Sequence, residues 1–189
     1  MRDRERTRQV LGHVSIAPPD PSWPAHFSHE RARLHAVLGH LAAHLQHYGS
    51  TAVPGLCAKP IIDMMAPVAS LQHADEFVEP LAKAGYRLVD AGFFKRRFFR
   101  KEPESSAPAF HLHLAVSPEW PLKNELLLRD WLIRRPDVAR AYAALKEQLA
   151  ASFPDDMPRY TEAKTAFLRQ AANNARLALS LPPNRDWNE

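Results

Sequence analysis

The stretch HYGSTAVPGLCAKPIIDMM, from His47 to Met65, decides how this chain is read. It holds a Gly-Ser turn at Gly49-Ser50, a Pro-Gly turn at Pro54-Gly55, a lysine at position 59 and one aspartate, Asp63. Small residues let a backbone approach a phosphate closely, and here they precede an apolar run that carries an acid. Lys59 to Met65, with Pro67 beyond, reads as a buried strand. A carboxylate in such a strand is costly to bury alone, so Asp63 needs a cation, a metal or donors beside it. Lys59 in a purely structural ion pair would satisfy that need, and so would a working site.

Outward from this stretch the pattern is mixed. On the N-terminal side, residues 1–13 form a charged arm, and Val10 to Ile16 suit a short strand or extended segment. Pro18 to Pro24 cannot be regular structure. Ser22 is placed to cap a helix with Pro24 in its first turn, and Phe27, Leu34, Leu38 and Leu41 recur at helical spacing up to about Gly39. Ala42 to Tyr48 fits either more helix or a strand. On the C-terminal side, Ser70 to Gly85 reads as one helix. Tyr86 to Val89 and Phe93 to Lys101 read as two strands joined at Asp90-Ala91-Gly92, and Phe110 to Val116 alternates as a further strand. Beyond Ser117 the signal turns helical: Trp120 to Ile133, Asp137 to Phe153 and Thr161 to Leu179. The domain reading is therefore an α/β region over 14–117, a helical region over 118–180 packed on it, and a loose tail over 181–189.

The chain has 189 residues, enough for a substantial core, with 46% hydrophobic and 24% charged residues. A net charge of +4 permits a polyanionic ligand without requiring one. Cys57 is the single cysteine, so an intrachain disulfide is excluded and a reducing, cytoplasmic setting is expected. The charged start has no apolar stretch of signal-peptide type behind it, and no run approaches the ~20 apolar residues that span a bilayer. No membrane partner is expected, and the sequence leaves the oligomeric state open.

GSTAVPGLCAKPIID resembles the signature of the GrpB family, whose fold belongs to the nucleotidyltransferase (polymerase-β-like) superfamily. The resemblance continues in RRFFRK (96–101), HLHLAV (111–116), LLLRDWL (126–132) and FPDDMPRYTEAK (153–164). It implies a nucleotidyltransferase-like mixed sheet with flanking helices, followed by a C-terminal helical region. It also makes the segment before Gly49 a strand. In the superfamily a Gly-Ser turn presents backbone N–H groups to a triphosphate, and an acid-x-acid pair on the next strand holds divalent metal. The resemblance thus makes Gly49 and Ser50 the phosphate turn and Asp63 the first acid. It leaves Lys59, Arg96, Arg100, Tyr160 and Lys164 as phosphate- or nucleotide-binding candidates. His47 matches a family histidine beside the turn, and Gln46 stands where many relatives have glutamate.

The chain departs from the superfamily at two places. Met65 stands where the second acid belongs, and the strand expected to carry a third acid has His111 and His113. Alternation puts both histidines on one strand face, and the implied fold lays that strand beside Asp63. Two histidines and a carboxylate form a metal-binding set suited to Mn²⁺ or a transition metal, where Mg²⁺ prefers oxygen. Asp63, His111 and His113 are therefore the catalytic and metal candidates, and either histidine suits general-base work. Arg96 and Arg100 share a strand face with Phe98, while Arg97 and Lys101 lie on the other. They suit a phosphate clamp, or a core strand with its charges in water. The expected substrates are a nucleoside triphosphate and a small-molecule acceptor. The modest charge excess disfavours nucleic acid. The alternative is a non-catalytic nucleotide- or anion-binding protein that has lost its second metal carboxylate.

Overall fold

The computed structural model describes residues 13–184 except 104, 106, 117 and 119, so the charged arm up to residue 12 and the tail beyond 184 lie outside it. Five strands form one mixed sheet. They are β1 (Gln46–Tyr48), β2 (Ile61–Val68), β3 (Arg87–Val89), β4 (Arg96–Lys101) and β5 (Ala109–Val116), in spatial order β1-β2-β5-β4-β3. β2 and β5 run parallel and the other neighbours antiparallel. Three helices flank the sheet: α1 (Trp23–Leu38), α2 (Leu71–Asp75) and α3 (Val78–Lys83). Three more, α4 (Asn124–Arg134), α5 (Pro136–Ser152) and α6 (Met157–Ala178), make up the helical region. The α/β fold with a C-terminal helical region is the one expected.

Alternation in the strands divides the sheet into two chemically different faces. Ile62, Met64, Ala66, Phe99, Leu112 and Leu114 are fully buried and pack with Leu34 and Leu38 of α1 and Leu81 of α3. The opposite face carries Asp63, Met65, His111, His113, Arg96, Phe98 and Arg100. A second apolar cluster of Val53, Leu56, Leu132 and Tyr142 ties the loop after Ser50 to α4 and α5.

Several local expectations change, three of them only in bounds: β4 begins at Arg96 and not Phe93, α4 at Asn124 and not Trp120, and α6 at Met157 and not Thr161. Within Ala42 to Tyr48 only Gln46–Tyr48 is strand; Gly39–His44 is a 3-10 turn whose Leu41 and Ala42 enter the core. The helix expected over 70–85 is two short helices, because Pro80 has no N–H to give the Glu76 carbonyl, and the break falls beside that residue. Ser22 stands at the start of α1 without capping it through its side chain; its own N–H donates to Asp20 Oδ1 at 2.8 Å. β2 continues through Pro67 to Val68. Beyond Met65 it has no β1 partner, so the missing proline donor breaks no ladder bond on that side.

Candidate active site

Gly49 follows β1 with φ +73° and ψ −170°, a conformation open essentially to glycine. It is also pressed against the acid: a Cβ at Gly49 would lie 2.6 Å from Asp63 Oδ2. The turn is held from both sides. His47 Nε2 and Thr51 Oγ1 are 3.0 Å apart, and Thr51 gives its one proton to the Ile61 carbonyl at 2.9 Å, so His47 is the donor between them. Burial, with Arg129 adding to it against the pull of Asp63, lowers the His47 pKa to about 4, so the ring is neutral and structural. Arg129 of α4 donates to the His47 carbonyl at 2.8 Å and to Gln46 Oε1 at 3.1 Å, fastening the helical region to β1.

Lysines gather at this turn. Lys146 of α5 is 2% exposed; it donates to Ser50 Oγ at 3.1 Å and to the Cys57 carbonyl, and lies 4.6 Å from the Tyr142 ring centre. Lys59 and Lys164 lie over the buried Tyr160 ring at 5.7 and 4.3 Å, and Lys59 also reaches Met157 Sδ at 3.3 Å. Burial pulls the Lys146 pKa down to about 8. Burial, then the charges of Lys59 and Lys146, pulls Lys164 down to about 7. Burial lowers Lys59 as well, with Asp63 opposing and Arg100 reinforcing. Tyr160 is raised by burial to about 12 and stays neutral. Lys146 was not among the residues singled out from the sequence. Its signal was present: it stands four residues after Tyr142 and three before Leu149, where the apolar face of a helix continues.

Across the sheet, strand register sets the candidates in rows. Tyr48, Asp63, His111, Arg100 and Arg87 stand opposite one another from β1 to β3, and directly opposed residues share a face. In this row His111 Nδ1 lies 3.2 Å from Asp63 Oδ1, while His111 Nε2 is buried without a partner among the described residues. The next row is Met65, His113, Phe98 and Val89. There Met65 is fully buried, and His113 stacks on Phe98 at 4.5 Å with Tyr48 and Phe93 edge-on at 5.9 and 5.7 Å. Burial, reinforced by Arg96, His111 and Lys123, pushes the His113 pKa well below the ordinary range.

The structure therefore brings Asp63 and His111 together beside Gly49, Ser50, Lys59, Tyr160 and Lys164, and packs His113 into an aromatic layer. Among the described residues no group of three or more His, Cys, Asp or Glu side chains is placed to hold a metal ion. Arg96 and Arg100 share the face but not a partner. Arg96 pairs with Glu125 at 2.8 Å and lies 3.8 Å over Phe93, whereas Arg100 reaches Glu102 at 3.3 Å. On the other face Arg97 pairs with Asp75 at 2.5 Å, and buried Lys101 meets Glu30 at 3.2 Å. Arg129 and Asp130 are a neighbouring pair at 2.7 Å.

Residues 13–174 match the family model described as GrpB protein. The chain belongs to the GrpB family. The crystal structure of conserved protein GrpB from Enterococcus faecalis superimposes with a TM-score of 0.78 at 30% identity, covering 88% of this chain and 99% of that one. The UPF0157 protein YqkA of Bacillus subtilis is 34% identical over 86% of this chain and 47% of its own length. A dephospho-CoA kinase of Mycolicibacterium paratuberculosis is 34% identical over 89% of this chain and 48% of its own. The chain thus spans about half the length of both these relatives. Among the described residues no helix is long and apolar enough to cross a membrane.

Proposed function

We propose that this GrpB protein is a nucleotidyl- or phosphoryl-transfer enzyme that binds a nucleoside triphosphate at the Gly49-Ser50 turn. The observation that carries the reading is the excess of cationic groups there. Lys59, Lys146 and Lys164 are half-buried or buried at one turn and depressed in pKa by burial, with Asp63 opposing the shift at Lys59 and Lys164 only. Burying lysines without acidic partners is unfavourable, and a polyphosphate would repay that cost. The kinase relatives accord with phosphate chemistry at this coarse level, although about half of such a relative lies outside the match.

In this reading Lys146 and Ser50 hold the outer phosphates, and Tyr160 with Lys164 closes the site from α6. Metal enters as part of a metal–triphosphate substrate. Mg²⁺ is commonly held by one or two carboxylates plus phosphate oxygens, so Asp63 can serve as the single protein carboxylate, with His111 beside it. Asp63 favours the proton on His111 Nδ1 and leaves the Nε2 lone pair to take the acceptor's proton. The acceptor oxygen then bonds to phosphorus as the bond to the leaving pyrophosphate or nucleoside diphosphate breaks. The test is a nucleotide and acceptor panel with Mg²⁺ or Mn²⁺, read by phosphate or pyrophosphate release. Activity lost in Asp63→Asn but not in His113→Phe supports the reading. One observation favours a second reading, a non-catalytic nucleotide- or anion-binding protein: buried Met65 stands where a second acid would. Triphosphate binding that depends on Lys146, with no turnover under either metal, would establish it.

A further inference from the structure

Past His111 the same row continues into two arginines, and neither is used by the triphosphate site. Arg100 stands opposite His111 on β4, and Arg87 opposite Arg100 on edge strand β3. Both reach one carboxylate oxygen, Glu102 Oε1, Arg87 at 3.2 Å and Arg100 at 3.3 Å. That carboxylate is 57% exposed, so two cations share a single solvated anion that can swing away into water. Arg100 Nε, meanwhile, is buried without any partner among the described residues. The order along the row is thus turn, acid, imidazole, arginine, arginine.

We infer that Arg100 and Arg87 form an anion subsite for the acceptor, whose substrate class is a small hydroxyl compound bearing a phosphate or a carboxylate. The inference rests on the transfer reading above for the word acceptor, but the subsite itself rests on the register and on the shared Glu102. An anion on this pair displaces Glu102 and satisfies the guanidinium groups by charge-assisted bonds. Its hydroxyl then falls to the neighbouring position in the row, His111. The reacting oxygen then lies at His111, between Asp63 and the two arginines in the row.

The test titrates glycerol 3-phosphate, glycerate and glycerol into the full chain, with and without a nonhydrolysable ATP analogue. The readout is the Arg Nε–H resonances, with that of Arg100 assigned by its disappearance in Arg100→Lys. The expected result is saturable movement of the Arg100 signal with one or both anions and none with glycerol; which anion acts separates a phosphate from a carboxylate acceptor. Arg100→Gln should weaken that anion about tenfold or more, read on the Arg87 signal, and leave the ATP analogue's affinity within about twofold. Glu102→Gln should tighten it by roughly two- to fivefold, because the competing carboxylate is gone. No movement with either anion, or equal affinity in Arg100→Gln and wild type, or weaker binding in Glu102→Gln, overturns the subsite. Failure of the triphosphate reading looks different: the ATP analogue does not bind, or binds equally well to Lys146→Gln, whatever the arginines do.

Discussion

Gly49 and Asp63 occupy one another's space: the position a Cβ would take on the glycine is 2.6 Å from Asp63 Oδ2. The turn is therefore seated on the acid, and the two cannot be varied independently. Gly49→Ala meets a backbone penalty of about 1–3 kcal/mol at this φ and ψ, and in addition drives the Asp63 carboxylate aside. The expected outcome is a folded, destabilised protein that has lost triphosphate binding, seen by thermal unfolding and calorimetric titration. Wild-type affinity in Gly49→Ala would separate the turn from the site.

The depressed lysines give the apo protein a pH signature. Folded Lys164 and Lys146 titrate at about 7 and about 8, against an ordinary 10.5 in the unfolded chain. Between those values the unfolded state binds more protons, so these groups make stability rise with pH from about 7 towards 10.5. Below about 7 both states are protonated and the full burial penalty applies. A bound triphosphate favours the charged amines and reverses the shift. Binding at pH 8 should therefore take up on the order of one proton, measured as a dependence of binding enthalpy on buffer ionisation enthalpy. Lys164→Met should lose most of that uptake. Proton release, or none, would mean that the lysines do not meet the phosphates.

His111 and His113 look alike in sequence and are predicted to differ in consequence. His113 is packed among Phe98, Tyr48 and Phe93, with a buried Nδ1 that has no partner among the described residues. Replacing it with phenylalanine keeps a ring and removes a polar atom that costs about 1–3 kcal/mol to bury unsatisfied. His113→Phe should keep transfer activity within a few-fold and hold or raise the melting temperature. His111→Phe should lower turnover by about 10²–10⁴, the usual worth of a general base, with a smaller change in triphosphate affinity. Equal losses in the two variants would return both rings to one shared site.

The difference between those histidines shows where sequence stops being legible. Alternation places both rings on the face of Asp63, and in that respect the reading was complete. It cannot say which residue each meets on the next strand, because register is set by β2 and β4 together. His111 falls opposite Asp63 and Arg100, His113 opposite Met65 and Phe98. The sheet, the turn and the helical half were readable from periodicity, turn residues and the family motifs. Lys146 was legible only in part: its spacing from Tyr142 and Leu149 sets it on the apolar helix face, but only tertiary packing shows that the charge is covered and not solvated. The split of Arg96 and Arg100 between Glu125 and Glu102 is equally a matter of contacts far apart in the chain.

Met65 tests how much one carboxylate can do. Met65→Glu restores an acid two residues after Asp63, on the same strand face and opposite His113. The position is fully buried, so an uncompensated carboxyl there should cost about 3 kcal/mol, or roughly 6–12 °C in melting temperature for a chain of this size. Two carboxylates on one face would then bind Mn²⁺ or Mg²⁺ without a nucleotide, and saturating metal should recover several degrees of that loss. Wild type, with Asp63 as its single acid in the row, should show little metal-dependent shift until triphosphate is added, because phosphate oxygens complete the coordination. A wild-type shift with metal alone as large as that of Met65→Glu would mean that the protein holds its metal without the substrate. Asp63 and His111 would then be acting as a resident metal site, and the metal–triphosphate proposal would fail.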